Sequence, residues 1–231
     1  MSAFVAIPLL AMVGCAHHRP VAHAPAPPAL APEPSGGVSA GDERYVASHE
    51  PIDTLRGMAS WYGPNYNRHR AANGQVYDQD AVTAANRTLP MNSLIKVTNE
   101  KTGQSAVMRI TDRGPFVANR ILDLSMAAAK ETGVYRAGLA PVRIDVYEAP
   151  KPIDEGGRWC VQIGAFAHTG KAIHLRHQLE RRYPDAQVID FAGPTGHWVR
   201  IRPAGDNREQ AEAIERRVHP AEGNAYLVRL D

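Results

Sequence analysis

Residues 109–123 read RITDRGPFVANRILD, and this stretch predicts a strand, a tight turn and a second strand. The first apolar run breaks at Asp112, where Gly114 supplies backbone freedom and Pro115 ends the strand ladder. A carboxylate at such a junction is held by a rigid strand yet reaches a surface groove, so Asp112 is a candidate general acid or base. The simpler interpretation is that Asp112 only caps the turn with its own side chain.

Short motifs precede this stretch in a fixed order. They are GMASWYGP at 57–64, ANGQVYD at 72–78, TAAN at 83–86, TLP at 88–90 and VTN at 97–99. Together with DRGPF at 112–116 they resemble the rare lipoprotein A (RlpA) family over residues 55–147. The resemblance implies a six-stranded double-psi β-barrel and a septal peptidoglycan lytic transglycosylase. The residue pattern by itself indicates only a small β-rich domain, whose short segments alternate with turn residues.

The expected barrel domain covers residues 55–148. Its predicted strands are Met58–Tyr62, Leu94–Thr98, Ser105–Thr111, Ile121–Leu124 and Val142–Tyr147. A short helix is predicted over Ser125–Thr132, with Ser125 as its N-cap and Gly133 as its C-cap. A closed barrel removes the exposed edges that so many short strands would leave.

The resemblance implies a catalytic set of three residues: Glu after the Asn-Gly motif, His after Thr-Ala-Ala, and the Asp of Asp-Arg-Gly-Pro. This chain keeps Asp112 but has Gln75 and Asn86 at the other two positions. Amide side chains form hydrogen bonds but cannot transfer a proton near neutral pH. Two hypotheses follow. Either Asp112 acts alone as general acid/base while Gln75 and Asn86 orient the sugar, or the barrel is a non-catalytic glycan-binding module.

A lone carboxyl suffices for the implied reaction. It protonates the glycosidic oxygen and then takes the proton of the muramoyl C6 hydroxyl as the anhydro ring closes, so no second carboxylate is required, unlike in a typical glycosidase. The expected substrate is the peptide-free glycan strand, and the products carry 1,6-anhydromuramoyl ends. Further candidate substrate-binding residues lie within the motifs; they are Trp61, Tyr62, Tyr66, Thr83 and Arg113. The alternative for the aromatic residues, Trp61 above all, is a place in the barrel core.

Residues 149–157 form an expected linker, and residues 158–231 predict a second domain. The segments are strand Trp159–Phe166, helix Lys171–Arg182, strands Gln187–Phe191 and His197–Arg202, helix Arg208–Val218 and strand Ala225–Leu230. This βαββαβ order is the ferredoxin-like plan. The motifs VQIGAF at 161–166 and WVRI at 198–201 resemble the SPOR domain, a family that binds glycan strands stripped of stem peptides at division sites.

Alternation assigns the two faces of this second sheet. Val161 and Ile163 are expected to face the helices, so Gln162, Trp198 and Arg200 are expected on the open side of the sheet. A Trp, a Gln and an Arg on an uncovered face can stack on a sugar and bond its hydroxyl groups. The alternative is that this face is merely solvated.

The N-terminal part predicts export. Ala3–Val13 is an apolar run too short to span a bilayer, which is typical of a signal peptide over residues 1–14. It ends in Met-Val-Gly-Cys, which resembles a lipobox and makes Cys15 the expected site of lipidation. Residues 15–54 are rich in Pro and Ala and predict a disordered, extended tether. The alternative is a cytosolic protein with an apolar tail.

The expected fold class is therefore mainly β plus α+β: a six-stranded double-psi β-barrel, then a ferredoxin-like SPOR domain. A net charge of +2 gives no reason to expect nucleic acid, and Cys15 and Cys160, the only two cysteines, predict no disulfide framework. No metal site and no cofactor are expected. The expected partners are denuded glycan strands, the membrane through Cys15, and divisome proteins. The expected location is the periplasmic face of a membrane, the outer one because Ala16 follows Cys15, with enrichment at the septum. The competing hypothesis is a non-catalytic, lipid-anchored divisome adaptor.

Overall fold

The computed structural model describes residues 37–185, 187–190 and 196–231. The predicted signal peptide, Cys15 and the Pro-rich stretch up to residue 36 lie outside these residues. Within them, no helix is both long enough and apolar enough to cross a membrane.

The first described element is a helix, α1 (Ala40–Ser48), inside the stretch predicted to be a disordered tether. That prediction is wrong from residue 40 onward. Ser39 caps the helix in a reciprocal capping box with Asp42, which satisfies two backbone N–H groups at the helix start. Val46 is buried, and the carboxylate of Asp42 lies 2.6 Å from a guanidinium nitrogen of Arg109. The helix is therefore fastened to the barrel.

Six strands close into a barrel in the order β1-β5-β2-β4-β3-β6, which confirms the predicted barrel. They are β1 (Asp53–Trp61), β2 (Thr83–Ala85), β3 (Leu94–Asn99), β4 (Ser105–Asp112), β5 (Leu122–Leu124) and β6 (Ala140–Glu148). β1 pairs with β5 and β2 with β4 in parallel, and the other neighbours are antiparallel. Alternate apolar side chains of these strands fill one core.

Two short helices, α2 (Met126–Glu131) and α3 (Val134–Ala137), follow β5. The Ser125 hydroxyl accepts a hydrogen bond from the N–H of Ala128, as expected of the predicted N-cap. Gly133 turns the chain after α2 with a φ of 69°, a conformation that glycine adopts readily. Ala128, Ala129 and Val134 pack against the barrel core.

The C-terminal domain is a four-stranded antiparallel sheet with two helices. Its elements are β7 (Trp159–Phe166), α4 (Thr169–Glu180), β8 (Gln187–Asp190), β9 (His197–Ile201), α5 (Arg208–Arg217) and β10 (Ala225–Arg229). The strand order β10-β7-β9-β8 is that of the ferredoxin-like plan and confirms the prediction. Val161, Ile163 and Val199 lie in the cluster under the helices, as alternation predicted.

The other face of this sheet is covered by the barrel. The Phe116 ring packs 4.6 Å from the Trp198 ring and 5.8 Å from the Tyr226 ring, measured between centroids. The N–H of Arg229 also donates to the backbone carbonyl of Arg87, 2.9 Å away. Trp198 is fully buried. The expectation of an uncovered face is therefore wrong, because the loop after Asp112 carries an aromatic side chain that fills this surface.

Candidate active site

Asp112 ends β4 and is 8% exposed. Its Oδ1 accepts hydrogen bonds from the backbone N–H groups of Ala72 and Arg113, both at 2.8 Å. Its Oδ2 accepts a hydrogen bond of 3.1 Å from the hydroxyl of Tyr62. Three donors thus fix the carboxyl in one orientation. The hydrogen bond from the N–H of Arg113, the next residue, caps the turn, as in the simpler interpretation of Asp112. The hydrogen bonds from Ala72 and Tyr62 come from distant parts of the chain and go beyond turn capping.

Burial raises the pKa of Asp112 above its usual range, although the hydrogen bonds from Arg113, Ala72 and Tyr62 partly oppose the effect. Burial and the adjacent Asp112 also raise the pKa of Tyr62, so its hydroxyl stays protonated and remains a donor. An acid with a raised pKa keeps a proton at higher pH than an exposed carboxyl does. This is the property a general acid needs.

A second carboxyl, Asp123, lies in the same row of the barrel, and the sequence reasoning missed it. The strand registers pair Ser60 with Asp123, Asp123 with Ala85, and Ala85 with Asp112. The two Asp residues are therefore two strands apart, about 10 Å between Cα atoms, with the small Ala85 between them. Asp123 accepts a hydrogen bond from Ser60, and burial raises its pKa.

A signal for Asp123 was present in the sequence. Asp123 stands between Leu122 and Leu124, which are both buried in the barrel, so alternation places its side chain on the opposite face. The Ser60 hydroxyl that it binds also accepts a hydrogen bond of 2.9 Å from Arg120. Arg120, Ser60 and Asp123 thus form a row of hydrogen-bonded polar side chains beside Asp112.

Gln75 and Asn86 stand in different environments. Gln75 is half-buried, and its side-chain oxygen accepts a hydrogen bond from Asn73. Asn86 is 3% exposed; its amide nitrogen donates to the carbonyl of Ile121, and its oxygen accepts from the N–H groups of Thr88 and Leu89. The Asn86 side chain therefore holds the loop after β2 in place.

The structure places the predicted sugar-contacting residues of the barrel in three different surroundings. Tyr62 lies beside Asp112, with Tyr66 5.1 Å from it between ring centroids, so these two belong to the site. Trp61 packs instead against Tyr135 and the barrel core. This is the core position that was the alternative to sugar contact for this residue. Thr83 is buried and, with Gln75, lines a separate small depression.

A cavity of about 330 Å³ opens beside Asp112, and both domains line it. Arg113 and Phe116 come from the barrel, and Gln162 and Arg200 come from β7 and β9. Gln162 is buried, and its side-chain oxygen accepts a hydrogen bond of 2.9 Å from Arg200. The structure thus brings together candidate residues that the sequence had assigned to two separate sites.

Comparison with known proteins agrees with both domains. A family model described as lytic transglycolase matches residues 54–144, and a SPOR domain model matches residues 155–229. The endolytic peptidoglycan transglycosylase RlpA of Vibrio cholerae is 52% identical over 161 residues, which cover 67% of this chain and 61% of that protein. The protein of the same name from Campylobacter jejuni is 39% identical over 157 residues, 57% of each chain.

The chain thus spans 57–61% of the length of these two relatives. Among solved structures, a Streptomyces papain inhibitor aligns with 42% of this chain and 97% of its own, at 16% identity and a TM-score of 0.35. The two matched domains follow one another in the order of the motifs described above. By its barrel, its second domain and these relatives, the chain belongs to the RlpA family.

Proposed function

We propose that this protein is an endolytic peptidoglycan lytic transglycosylase that cleaves peptide-free glycan strands and leaves 1,6-anhydromuramoyl ends. The observation that carries the proposal is the position of Asp112: a buried carboxyl, fixed by three donors, at the edge of a cavity that both domains line. Membership of the family whose relatives bear this activity in their names supports the same conclusion.

In the proposed reaction, protonated Asp112 gives its proton to the glycosidic oxygen while the bond from that oxygen to muramoyl C1 breaks. The resulting carboxylate then takes the proton of the C6 hydroxyl as O6 forms its bond to C1. The proton returns to Asp112, and no water is consumed. The raised pKa favours the first step, and the hydrogen bond from Tyr62 stabilises the carboxylate formed between the steps.

The remaining site residues have proposed supporting roles. Tyr62 and Tyr66 offer aromatic surface beside the acid, and Arg113, Gln162 and Arg200 offer hydrogen-bond donors or acceptors in the cavity. A sugar contact by Trp198 would require the barrel to release the sheet, because Phe116 covers this side chain. Of the two substituted positions, Gln75 lines a small depression apart from the Asp112 cavity, while hydrogen bonds at both its oxygen and its nitrogen hold the side chain of Asn86 in the loop after β2.

A non-catalytic glycan-binding adaptor is the second candidate function. The observation in its favour is that Gln75 and Asn86 replace the Glu and His that the family resemblance implies. Loss of such partners can lower a rate by orders of magnitude. Under this hypothesis, Asp112 and the cavity would bind the strand without cleaving it.

One experiment separates these two functions. Purified peptide-free strands are incubated with the full chain, and the products are analysed by mass spectrometry. Transglycosylation gives anhydro ends that are lighter by one water than hydrolysed ends. Intact strands recovered together with the bound protein would establish the adaptor function.

We further propose that the protein is anchored by a lipid on Cys15, faces the periplasm from the outer membrane and concentrates at the septum with divisome proteins. The lipobox-like Met-Val-Gly-Cys sequence at 12–15 supports the anchor. Labelled palmitate should enter the wild-type protein, and Cys15→Ser should abolish labelling and release the protein from membranes. Equal labelling of the variant would contradict the anchor.

A further inference from the structure

The second domain buries both faces of its sheet, although its own helices cover only one of them. The other face, the docked face, consists of side chains that point towards the barrel: Cys160, Gln162, Trp198, Tyr226 and Val228. All five are at most 7% exposed. Without the barrel they would form an apolar and aromatic patch, and such patches on soluble proteins mark binding surfaces. The docked face is therefore a binding surface that the protein itself occupies.

Aromatic contacts hold the docked face against the barrel. The Phe116 ring lies against the rings of Trp198 and Tyr226, and the guanidinium of Arg87 lies 5.1 Å from the centroid of the Tyr226 ring. The contact is thus built around one half-buried ring on a loop of the barrel. Contacts between domains of one chain resemble transient interfaces, so a contact of this kind can open and close.

Backbone hydrogen bonds complete the docking. The N–H of Arg229 donates to the carbonyl of Arg87 at 2.9 Å, and the N–H of Met91 donates to the carbonyl of Asp231 at 3.3 Å. Residues 149–158, which join β6 to β7, keep the domains close together when these bonds break. Because such a short connection gives a high effective concentration, the domains dock again readily.

Docking also narrows the approach to Asp112. The cavity beside this residue measures about 330 Å³, at the lower end of the range for small-molecule sites, and Gln162 and Arg200 of the second domain form part of its wall. An endolytic enzyme cuts within a strand, so sugar units extend on both sides of the bond that breaks. A cavity of this size, with the sheet as one wall, accepts only a short piece of such a polymer. Tyr62 and Tyr66 belong to the barrel and stay beside Asp112 when the domains separate.

We propose that the docked arrangement is a self-inhibited state of the protein, which a glycan strand opens by competing with Phe116 for the docked face. The barrel covers the docked face, and the second domain in turn closes the groove at Asp112. A strand that binds the docked face only when it is free shifts the population towards the open state. Because it takes the strand as the competing ligand, this mechanism rests on the proposed function. Cleavage is thereby restricted to places where the second domain has engaged a strand.

The first test measures cleavage after a substitution outside the barrel. Tyr226→Ala removes a ring that contacts Phe116 and Arg87, but Tyr226 lies on β10 of the second domain. At strand concentrations well below saturation, the full-length variant should form anhydro ends about tenfold faster than wild type, since an aromatic contact changes an equilibrium by about this factor.

A matched control shortens an exposed side chain of the same domain. Ile173 lies on α4, which packs on the other face of the sheet, so Ile173→Ala should cleave strands like wild type. Circular dichroism checks that each variant is folded. A folded Tyr226→Ala protein that cleaves no faster than wild type would overturn the self-inhibited state.

The second test measures binding after a substitution in the barrel. In an Asp112→Asn background, which prevents cleavage, Phe116→Ala should tighten the binding of peptide-free strands about tenfold. The reason is that the apparent affinity rises with the fraction of molecules whose docked face is free. Val117→Ala, at the exposed neighbour, is the control. Unchanged or weaker binding by Phe116→Ala would show that the strand does not compete with this ring.

Hydrogen exchange shows which arrangement a bound strand selects. In the Asp112→Asn protein, strands should accelerate exchange of the N–H groups of Met91 and Arg229, because both bond across the interface and lose their acceptors when the domains separate. Slower exchange of both groups would mean that the strand binds the docked arrangement itself, and the self-inhibited state would be refuted.

Failure of the proposed function is a different result. A protein that forms no anhydro ends in any variant, but binds strands more tightly after Phe116→Ala, would lose the transglycosylase activity and keep the self-inhibited state. A protein that forms anhydro ends at the same rate in wild type and in Tyr226→Ala would keep the activity and lose the self-inhibited state.

Discussion

The Phe116 ring lies 4.6 Å from the Trp198 ring and stands four residues after Asp112 on the same loop. The loop that follows the proposed acid is therefore also the segment that docks on the second domain. Because only three residues separate Phe116 from Asp112 along the chain, a change in the docking of the two domains is transmitted directly to the position of the acid.

Phe116→Ala should loosen the docking of the two domains. The half-buried ring contacts two aromatic side chains, so we expect a loss of about 2–3 kcal/mol in the free energy of unfolding, somewhat less than for a fully buried Phe. Urea denaturation measures the loss, and the tryptophan emission should shift to the red as Trp198 meets water. Val117→Ala, at an exposed neighbour, is the control. An unchanged emission spectrum would show that the ring does not cover Trp198 in solution.

Asp112→Asn should abolish anhydro products, a loss of about 10²–10⁴-fold for a general acid/base, while leaving the fold intact. It should also raise stability at neutral pH. Because the pKa of Asp112 is higher in the folded than in the unfolded state, its ionisation destabilises the fold as pH rises above the ordinary value of 3.8.

Thermal melts at several pH values test this second effect. The advantage of Asp112→Asn should be present at pH 7 and disappear below about pH 4, where the wild-type carboxyl is protonated in both states. Asp154→Asn, at an exposed position, serves as the control. An advantage that persists at low pH would mean that the substitution acts through packing rather than through charge.

The two substituted family positions should respond differently to restoration. Gln75→Glu should be tolerated and should raise transglycosylase activity, because it keeps the shape of a half-buried side chain with one side-chain partner, Asn73, and restores the carboxylate that the family resemblance implies. Asn86→His should cost about 1–3 kcal/mol, since it leaves the N–H groups of Thr88 or Leu89 without their acceptor. Product analysis and urea melts of both single variants check this. A fully stable Asn86→His protein would contradict the structural role of Asn86.

The Cys160 thiol should be unreactive in the folded protein. It is fully buried on the docked face of the sheet, and burial raises its pKa to about 11. In a Cys15→Ser background at pH 8, a thiol reagent should modify it only slowly, and Phe116→Ala should accelerate the reaction by exposing that face. Equal rates in the two proteins would show that docking does not protect this face.

Asp42→Asn should weaken the attachment of α1 by about 1 kcal/mol at neutral pH. Burial opposes ionisation of Asp42, but hydrogen bonds from Ser39 and Arg109 outweigh it and lower the pKa. The stabilisation is therefore present above the ordinary value of 3.8 and is lost as pH falls through the lowered pKa. Melts of both proteins should converge at low pH, and high salt should reduce their difference. Glu43→Gln, an exposed neighbour, serves as the control.

Local patterns predicted most of the secondary structure, since they act within a few residues. The bounds of β7 were predicted as Trp159–Phe166 and found there, and Ser125 is the predicted N-cap. Helix α1 was missed because the Pro-rich composition before it dominated the interpretation, although the capping pair Ser39 and Asp42 was visible in the sequence. The strand β2 has only three residues, too few for an alternation to be recognised.

The site was harder to predict because it depends on contacts between distant residues. The turn alone made Asp112 a candidate beside the simpler turn-capping interpretation, and the family resemblance then favoured it as the acid/base. The burial of Trp198 could not be predicted, because alternation gives the face of a sheet but not what covers that face. The role of Asn86 likewise depends on its bond to Ile121, 35 positions away in the chain.

The Asp42–Arg109 ion pair places α1 in the path of any tension applied to the chain before Ser39. Without it, a pull would arrive directly at Asp53, where β1 begins and pairs with Val146, and would open that ladder one pair at a time. With it, the load passes first into β4, a strand held on both sides within the barrel. Helix α1 thus diverts part of an applied load into β4 before that load reaches the pairing between β1 and β6.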